Sequence, residues 1–181
     1  MEYRQKLFVR FIIAILAVIF YNFLFYEILK PFTIYGSYLF LLIFESGIKL
    51  AENSLIVSGH TFNFIHACIA GSAYFLLFIL LISTKDIKLI DGIKLFFVGS
   101  SLILLMNIIR IDILIISSIK FGKVWFDAIH LIFWKFLSTI YVAFVWISLV
   151  KKFKIKTIPI YSDIIYLITR ITLKNRKSRR N

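Results

Sequence analysis

The sequence is short of cysteine, proline and acidic residues, and each shortage excludes a class of protein. Its 181 residues include one cysteine, which excludes an internal disulfide and any metal site built from several thiolates. Two prolines and seven glycines leave little room for disordered linkers. Nine acidic residues stand against 22 lysines and arginines, a net charge of +13. By contrast, 61% of the residues are hydrophobic and 18% aromatic, a composition typical of membrane proteins.

The basic residues are concentrated at the two ends of the chain. Ten of them lie between Lys151 and Asn181, and Arg4, Lys6 and Arg10 lie near the N-terminus. Basic clusters that flank apolar segments mark cytoplasmic ends and bind anionic lipid headgroups. The charge therefore indicates membrane lipids as partners and argues against nucleic acid.

Long apolar runs predict an all-α integral membrane protein, a bundle of four to six transmembrane helices. The first run, Leu7–Tyr26, is long enough to cross a bilayer and lacks a small-x-small cleavage site, so we expect an uncleaved anchor. The run Phe32–Phe44 is only about 13 residues long and is predicted to be re-entrant or interfacial. Three further spans are predicted at Ala67–Ile82, Leu95–Ile119 and Ala128–Val150.

The bias of basic residues predicts the orientation of these spans. It puts the N-terminus, the loop 83–94 and the C-terminal tail in the cytoplasm. The loop 120–127 and the segment before Cys68 then lie outside. We accordingly divide the chain into a transmembrane domain, residues 1–158, and a basic cytoplasmic tail, residues 159–181.

A short β-hairpin is predicted in the outer segment, just before Cys68. The stretch from Ile56 to Phe64 has a Ser58-Gly59 turn signal between β-favouring residues, and Phe62 and Phe64 alternate along the chain.

Four polar residues interrupt the apolar spans, where charges are costly and usually face a bundle interior. Asp112 and Lys135 have similar predicted depths, and we expect them to form an internal ion pair. Asn107 and Arg110 are three residues apart and share a helix face. Arg110 has no obvious partner in the sequence.

Cys68, Arg110 and His130 fall on the same side of the membrane in this orientation. Cys68 alone can be explained as a packed thiol and His130 as an interfacial polar side chain, whereas Arg110 is the hardest of the three to explain structurally. Together they are a nucleophile, a general base and an anion stabiliser, and Asn107 could support Arg110. His60 and His66, six residues apart, are interpreted as surface residues rather than metal ligands, so no metal is predicted.

The site residues resemble those of the exosortase/archaeosortase family of membrane transpeptidases, particularly its compact archaeal members. Many members carry Cys-Ser/Thr-Gly, whereas here Ile69 and Ala70 follow the cysteine and glycine comes one place later. The order Cys, Arg, His along successive helices is the family's pattern. The resemblance covers roughly residues 53–150 and rests on Leu55-x-Val57-x-Gly59-x-x-Phe62-x-Phe64-x-x-Ala67-Cys68-x-Ala70-Gly71, Asn107-x-x-Arg110 and His130.

The resemblance implies a cysteine peptidase or transpeptidase that works at the outer membrane face. Its substrates would be exported proteins with a C-terminal signal, made of a short motif, one transmembrane helix and a basic cluster. Cys68 would cleave at the motif through a thioester, which an amine acceptor such as a lipid headgroup would resolve. That chemistry requires no metal and no organic cofactor.

Two other classes of protein fit the same residues. In a non-catalytic ligand-binding subunit of a transporter, Arg110 would hold an anionic ligand and Cys68 would be dispensable. In a purely structural or assembly protein, the four intramembrane polar residues would hold helices together and both Cys68 and His130 could be replaced.

Overall fold

The apolar runs fold mainly into helices, and a small antiparallel sheet interrupts them. A computed structural model describes residues 3–84, 87–133 and 138–155. The helices α1 and α2 are joined by a π-helical turn, and the sheet then precedes five further helices. The bounds are α1 Tyr3–Ile19, the π-helical turn Phe23–Glu27, α2 Leu29–Leu41, β1 Lys49–Ala51, β2 Ser54–Val57, β3 His60–Asn63, α3 His66–Ile69, α4 Gly71–Ile82, α5 Leu89–Phe121, α6 Lys123–Ile132 and α7 Ser138–Lys152.

By length and apolar composition, α5 is the one helix in the described ranges that could cross a bilayer alone. Its 33 residues include the predicted span Leu95–Ile119. The segment Gln5–Ile19 of α1 and the segment Phe23–Leu41, which contains the π-helical turn and α2, meet this criterion only as a pair. They are bent by 69° at the break between them. The described residues therefore hold one candidate span, or two if the bent pair is one span, against the four to six predicted.

Two segments predicted as loops contain helix. The predicted loop 83–94 becomes helix from Leu89 onward, where Asp91 lies in the first turn of α5 and interacts favourably with the helix dipole. The predicted loop 120–127 is nearly all helical, because Gly122 alone separates α5 from α6. Gly122 has φ 81°, a left-handed value that glycine adopts without strain. Charged residues at helix ends made these segments resemble loops.

One predicted span is divided in the structure. The run Ala67–Ile82 is broken at Ala70, whose left-handed backbone (φ 55°, ψ 31°) ends α3 and begins α4. The run Ala128–Val150 includes the end of α6 and most of α7, and residues 134–137 between them lie outside the described residues. An apolar run does not itself reveal a change of backbone direction, so this pattern predicted continuous helices.

The predicted hairpin is confirmed, and a third strand extends it. β2 and β3 pair antiparallel around Ser58 and Gly59, whose positive φ values of 50° and 81° make a type I′ turn. β1 pairs with the other edge of β2, which gives the order β1-β2-β3. Leu55 and Val57 are fully buried on one face of β2.

The helix α5 connects two hydrophobic clusters. One cluster packs α5 against α4, α7 and the π-helical turn; Gly99 allows the close approach, since a Cβ there would lie 2.7 Å from Leu77. The other packs the C-terminal half of α5 (Ile111, Ile115) against α2, α3 and the sheet. This second cluster holds the sheet beside the part of α5 that carries Arg110.

One residue of the predicted ion pair lies outside the described residues, and so does the whole tail 159–181. Asp112 is buried in α5, and neither of its carboxylate oxygens has a hydrogen-bond partner among the residues that the structure describes. Lys135, its predicted partner, is not among them. The pair therefore stays a prediction.

Candidate active site

The break at Ala70 determines where Cys68 lies. Cys68 is in the four-residue helix α3, which ends at the left-handed Ala70 before the apolar helix α4 begins. At the first residue of α4, a Cβ on Gly71 would lie 2.8 Å from the carbonyl oxygen of Phe25. The absence of a side chain at Gly71 therefore lets the π-helical turn pack directly under the Cys68 segment.

Two side chains from α5 hold the Cys68 segment through its backbone. Asn107 Nδ2 donates a hydrogen bond to the carbonyl oxygen of Cys68 at 2.7 Å, and Arg110 Nη2 donates to that of Ala67 at 2.9 Å. The carbonyls at the end of a helix lack partners within it, so these contacts cap α3 from outside. The sequence predicted Asn107 and Arg110 on one face of α5 but did not predict this capping role.

A cavity of about 300 Å³ brings the three predicted catalytic residues together. Cys68 comes to it from α3, Arg110 from α5 and His130 from α6. Its remaining wall is formed by β3, by the chain from β3 into α3, and by apolar side chains of α5 and α6. These residues are Thr61, Phe62, Asn63, Phe64, Ile65, Ala67, Ile111, Leu114, Ile115 and Phe126. The size falls at the lower end of the range for small-ligand pockets.

Arg110 has donors to spare at this cavity. It is only 7% exposed, and its Nε has no hydrogen-bond partner among the described residues. The described part of the chain also contains no ion pair with Arg110. A guanidinium carries five N–H donors, and one of these is bonded to Ala67. A buried cation in this state is suited to an anionic group or a developing oxyanion.

Asn107 lies outside the wall of the large cavity. It lines a separate cavity of about 30 Å³ together with Arg110 and Tyr141. Asn107 therefore acts on Cys68 through the backbone carbonyl that it binds.

The environment of Cys68 acts on its thiol in two opposing directions. The residue is half-buried in α3, and burial raises the pKa of the thiol, because a thiolate is poorly stabilised away from water. A hydrogen bond from the Ile65 backbone and, to a smaller extent, the positive charge of Arg110 lower the pKa and offset part of this rise. Arg110 is thus the side chain whose charge favours the nucleophilic form of Cys68.

His130 lies on α6, next to an aromatic neighbour. It is half-buried, and its ring centroid is 5.7 Å from that of Phe126, with the planes tilted by 48°. Both rings line the large cavity. The short turn at Gly122 folds α6 back beside α5 and so brings an imidazole to the same cavity as the thiol.

The other two histidines are exposed, as predicted. His60 lies in β3, whereas His66 lies at the start of α3. His66 stacks on Tyr26 with ring centroids 3.7 Å apart, and its Nε2 lies 3.1 Å from Asn22 Oδ1. It therefore ties α3 to the π-helical turn. Across the described ranges, no group of three or more His, Cys, Asp or Glu residues could hold a metal ion.

Comparison of the chain with protein-family models, with curated proteins and with solved structures finds no match.

Proposed function

We propose that the protein is a membrane-embedded cysteine peptidase or transpeptidase of the exosortase/archaeosortase type. One observation carries the proposal: Cys68, Arg110 and His130, from three separate helices, line one cavity. A nucleophile, a base and a cation at one cavity are the groups that acyl transfer requires. The resemblance in sequence supplies the reaction class.

The reaction proceeds in two transfers. The Cys68 thiolate attacks the carbonyl carbon of the scissile peptide bond, and His130 holds the thiol proton. As the C–N bond breaks, His130 gives the proton to the leaving amine, and a thioester to Cys68 remains. An acceptor amine then attacks the thioester and gives its proton to His130, the C–S bond breaks, and His130 returns this proton to the Cys68 sulfur. The free N–H donors of Arg110 stabilise the oxyanion in both steps.

We further propose a multi-pass arrangement of at least four spans with the cavity at the outer face. The substrates in this proposal are exported proteins with a C-terminal motif, helix and basic cluster, and the acceptor is an amine, such as a lipid headgroup. One contact is consistent with the arrangement: Arg10 Nη2 donates to the carbonyl oxygen of Thr84 at 3.3 Å, and both residues belong to the predicted cytoplasmic side.

The test uses membranes that contain the wild-type protein or Cys68→Ser. The model substrate joins an outer segment to an apolar helix of about 20 residues and a basic cluster. We expect cleavage and a trapped acyl-enzyme with the wild type alone, since the substitution replaces the thiol by a poor nucleophile. Cys68→Ser should remain inserted and folded. Equal cleavage by both proteins would refute the assignment of the nucleophile.

A second function is favoured by the state of Arg110. A buried guanidinium in the wall of a cavity of about 300 Å³ could hold a small anionic ligand without any chemistry at Cys68. This would be a non-catalytic binding subunit of a transporter. Loss of ligand binding in Arg110→Gln, combined with unchanged ligand binding in Cys68→Ser, would favour the binding subunit.

A further inference from the structure

Among the described residues, the edge of the sheet that lines the cavity is unpaired. In the order β1-β2-β3, β3 pairs with β2 on one side and with no other strand of the described chain on its second side. Thr61, Phe62 and Asn63, three of the four residues of β3, line the cavity that contains Cys68. An unpaired edge is a row of backbone donors and acceptors ready for another strand.

The register determines which backbone groups point outward. Around a two-residue turn, the flanking residues Val57 and His60 exchange both backbone hydrogen bonds, and bonded and non-bonded pairs then alternate. Leu55 and Phe62 form the next bonded pair. The bond from Phe64 N–H to the Asn53 carbonyl oxygen, at 2.9 Å, follows the same alternation.

Thr61 and Asn63 consequently direct their N–H and C=O groups away from β2. Both belong to non-bonded pairs, with Ile56 and Ser54 respectively. Two residues that repeat at this spacing offer two donors and two acceptors, which is the pattern that an extended peptide matches.

The edge also lacks the features that block strand addition. Proteins protect open edges with lysine, proline or a bulge. The strand β3, His60-Thr-Phe-Asn63, carries neither lysine nor proline, whereas β1, at the opposite edge, begins with Lys49.

The chain beyond β3 continues toward the thiol. Phe64 and Ile65 follow in the same cavity wall, and Ile65 is still extended, with φ −95° and ψ 171°. Cys68 follows three residues after Ile65 in α3. A peptide paired along β3 would therefore extend toward Cys68.

We propose that the substrate's recognition segment binds as a fourth strand on β3, paired with the outward groups of Thr61 and Asn63, and that this pairing presents its scissile carbonyl to Cys68. The inference rests on the proposed peptidase function and specifies its substrate as an extended peptide. Backbone hydrogen bonds would provide the affinity for the substrate peptide. Alternate side chains of that peptide would determine which sequences bind.

The first test changes the edge of the protein. Thr61→Pro removes an outward N–H without removing a bond between β2 and β3, and proline is tolerated at such positions. We expect kcat/KM for the cleaved model substrate to fall about tenfold, the size of one or two lost hydrogen bonds. Leu50→Pro is the matched control on the opposite edge, because Leu50 forms a non-bonded pair with Leu55 and its N–H also points away from β2. This variant should stay near the wild-type value. An equal fall in both variants, or none in either, would overturn the proposal.

The second test leaves the protein unchanged and so avoids any failure of a variant to fold. Single N-methyl groups are placed on successive amides of the outer segment of the cleaved substrate. We expect kcat/KM to fall at alternate positions, because every second amide of an added strand faces β3. A uniform effect or no effect contradicts strand addition while leaving cleavage by Cys68 intact. If the unmethylated substrate is not cleaved in a Cys68-dependent manner, the proposed function itself fails.

Discussion

The pairing of Arg110 with the Cys68 segment combines two roles in one side chain. Arg110 caps the Ala67 carbonyl through Nη2, and its charge favours the thiolate of Cys68. The first role is positional and the second electrostatic, so substitutions can separate them. Arg110→Lys keeps the positive charge but loses the planar guanidinium group, whereas Arg110→Gln loses the charge.

The rate at which iodoacetamide alkylates Cys68 measures the electrostatic role directly. Only the thiolate reacts, and burial raises the pKa of the Cys68 thiol, so we expect the rate to keep rising above neutral pH. Arg110→Gln removes the charge that lowers this pKa. The profile should move to higher pH, with alkylation several-fold slower at any fixed pH below its midpoint.

Arg110→Lys is the matched control for that experiment. Since its charge remains, we expect a smaller alkaline shift than in Arg110→Gln, together with a large loss of peptidase activity because the planar guanidinium group is gone. Identical profiles in all three proteins would show that the charge of Arg110 does not reach the thiol.

At the scale of elements, the position of the Cys68 segment depends on the close approach of α4 to the π-helical turn. A methyl group at position 71 would meet Phe25 O at 2.8 Å and Tyr21 Oη at 3.0 Å. The first is a backbone atom, which cannot move away alone. We expect Gly71→Ala to lower the free energy of unfolding by about 1–3 kcal/mol.

Gly92→Ala in α5 is the control for the close approach at Gly71. Its new methyl group would meet nothing nearer than 3.5 Å, an ordinary contact, and alanine favours helix. It should be neutral or stabilising by up to about 1 kcal/mol. Thermal unfolding in detergent, compared across both variants, checks the prediction. A stable Gly71→Ala would mean that the π-helical turn shifts at little cost.

At the scale of the whole molecule, the proposed crossings can be mapped by single cysteines. Three exposed residues each lie in a different predicted segment: Glu52 in the outer segment before Cys68, Lys88 in the cytoplasmic loop 83–94 and Lys123 in the outer loop 120–127. Each is changed to cysteine in a Cys68→Ser background and treated with a membrane-impermeant thiol reagent. In intact cells we expect labelling at positions 52 and 123, and at position 88 only after permeabilisation.

This pattern would establish two crossings, one between positions 52 and 88 and one along α5. Equal labelling of positions 88 and 123 in intact cells would contradict a crossing by α5. Labelling of position 88 but not of position 52 would reverse the predicted orientation.

The sequence determined the features that depend on local chemistry. Apolar content predicted a mainly helical chain, and the Ser58-Gly59 signal predicted the hairpin, because positive φ values restrict a type I′ turn to few residues. The residue types and order of Cys68, Arg110 and His130 favoured acyl transfer before any geometry was known, although a ligand-binding role and a structural role fitted the same residues.

Only the tertiary structure decided how these residues meet. The left-handed Ala70, the capping of Ala67 and Cys68 by α5, and the unpaired edge of β3 each depend on contacts between segments distant in sequence. The predicted span Ala67–Ile82 was interrupted for the same reason. Hydrophobicity measures the preference of a segment for an apolar environment, whereas packing against neighbours determines where the backbone turns.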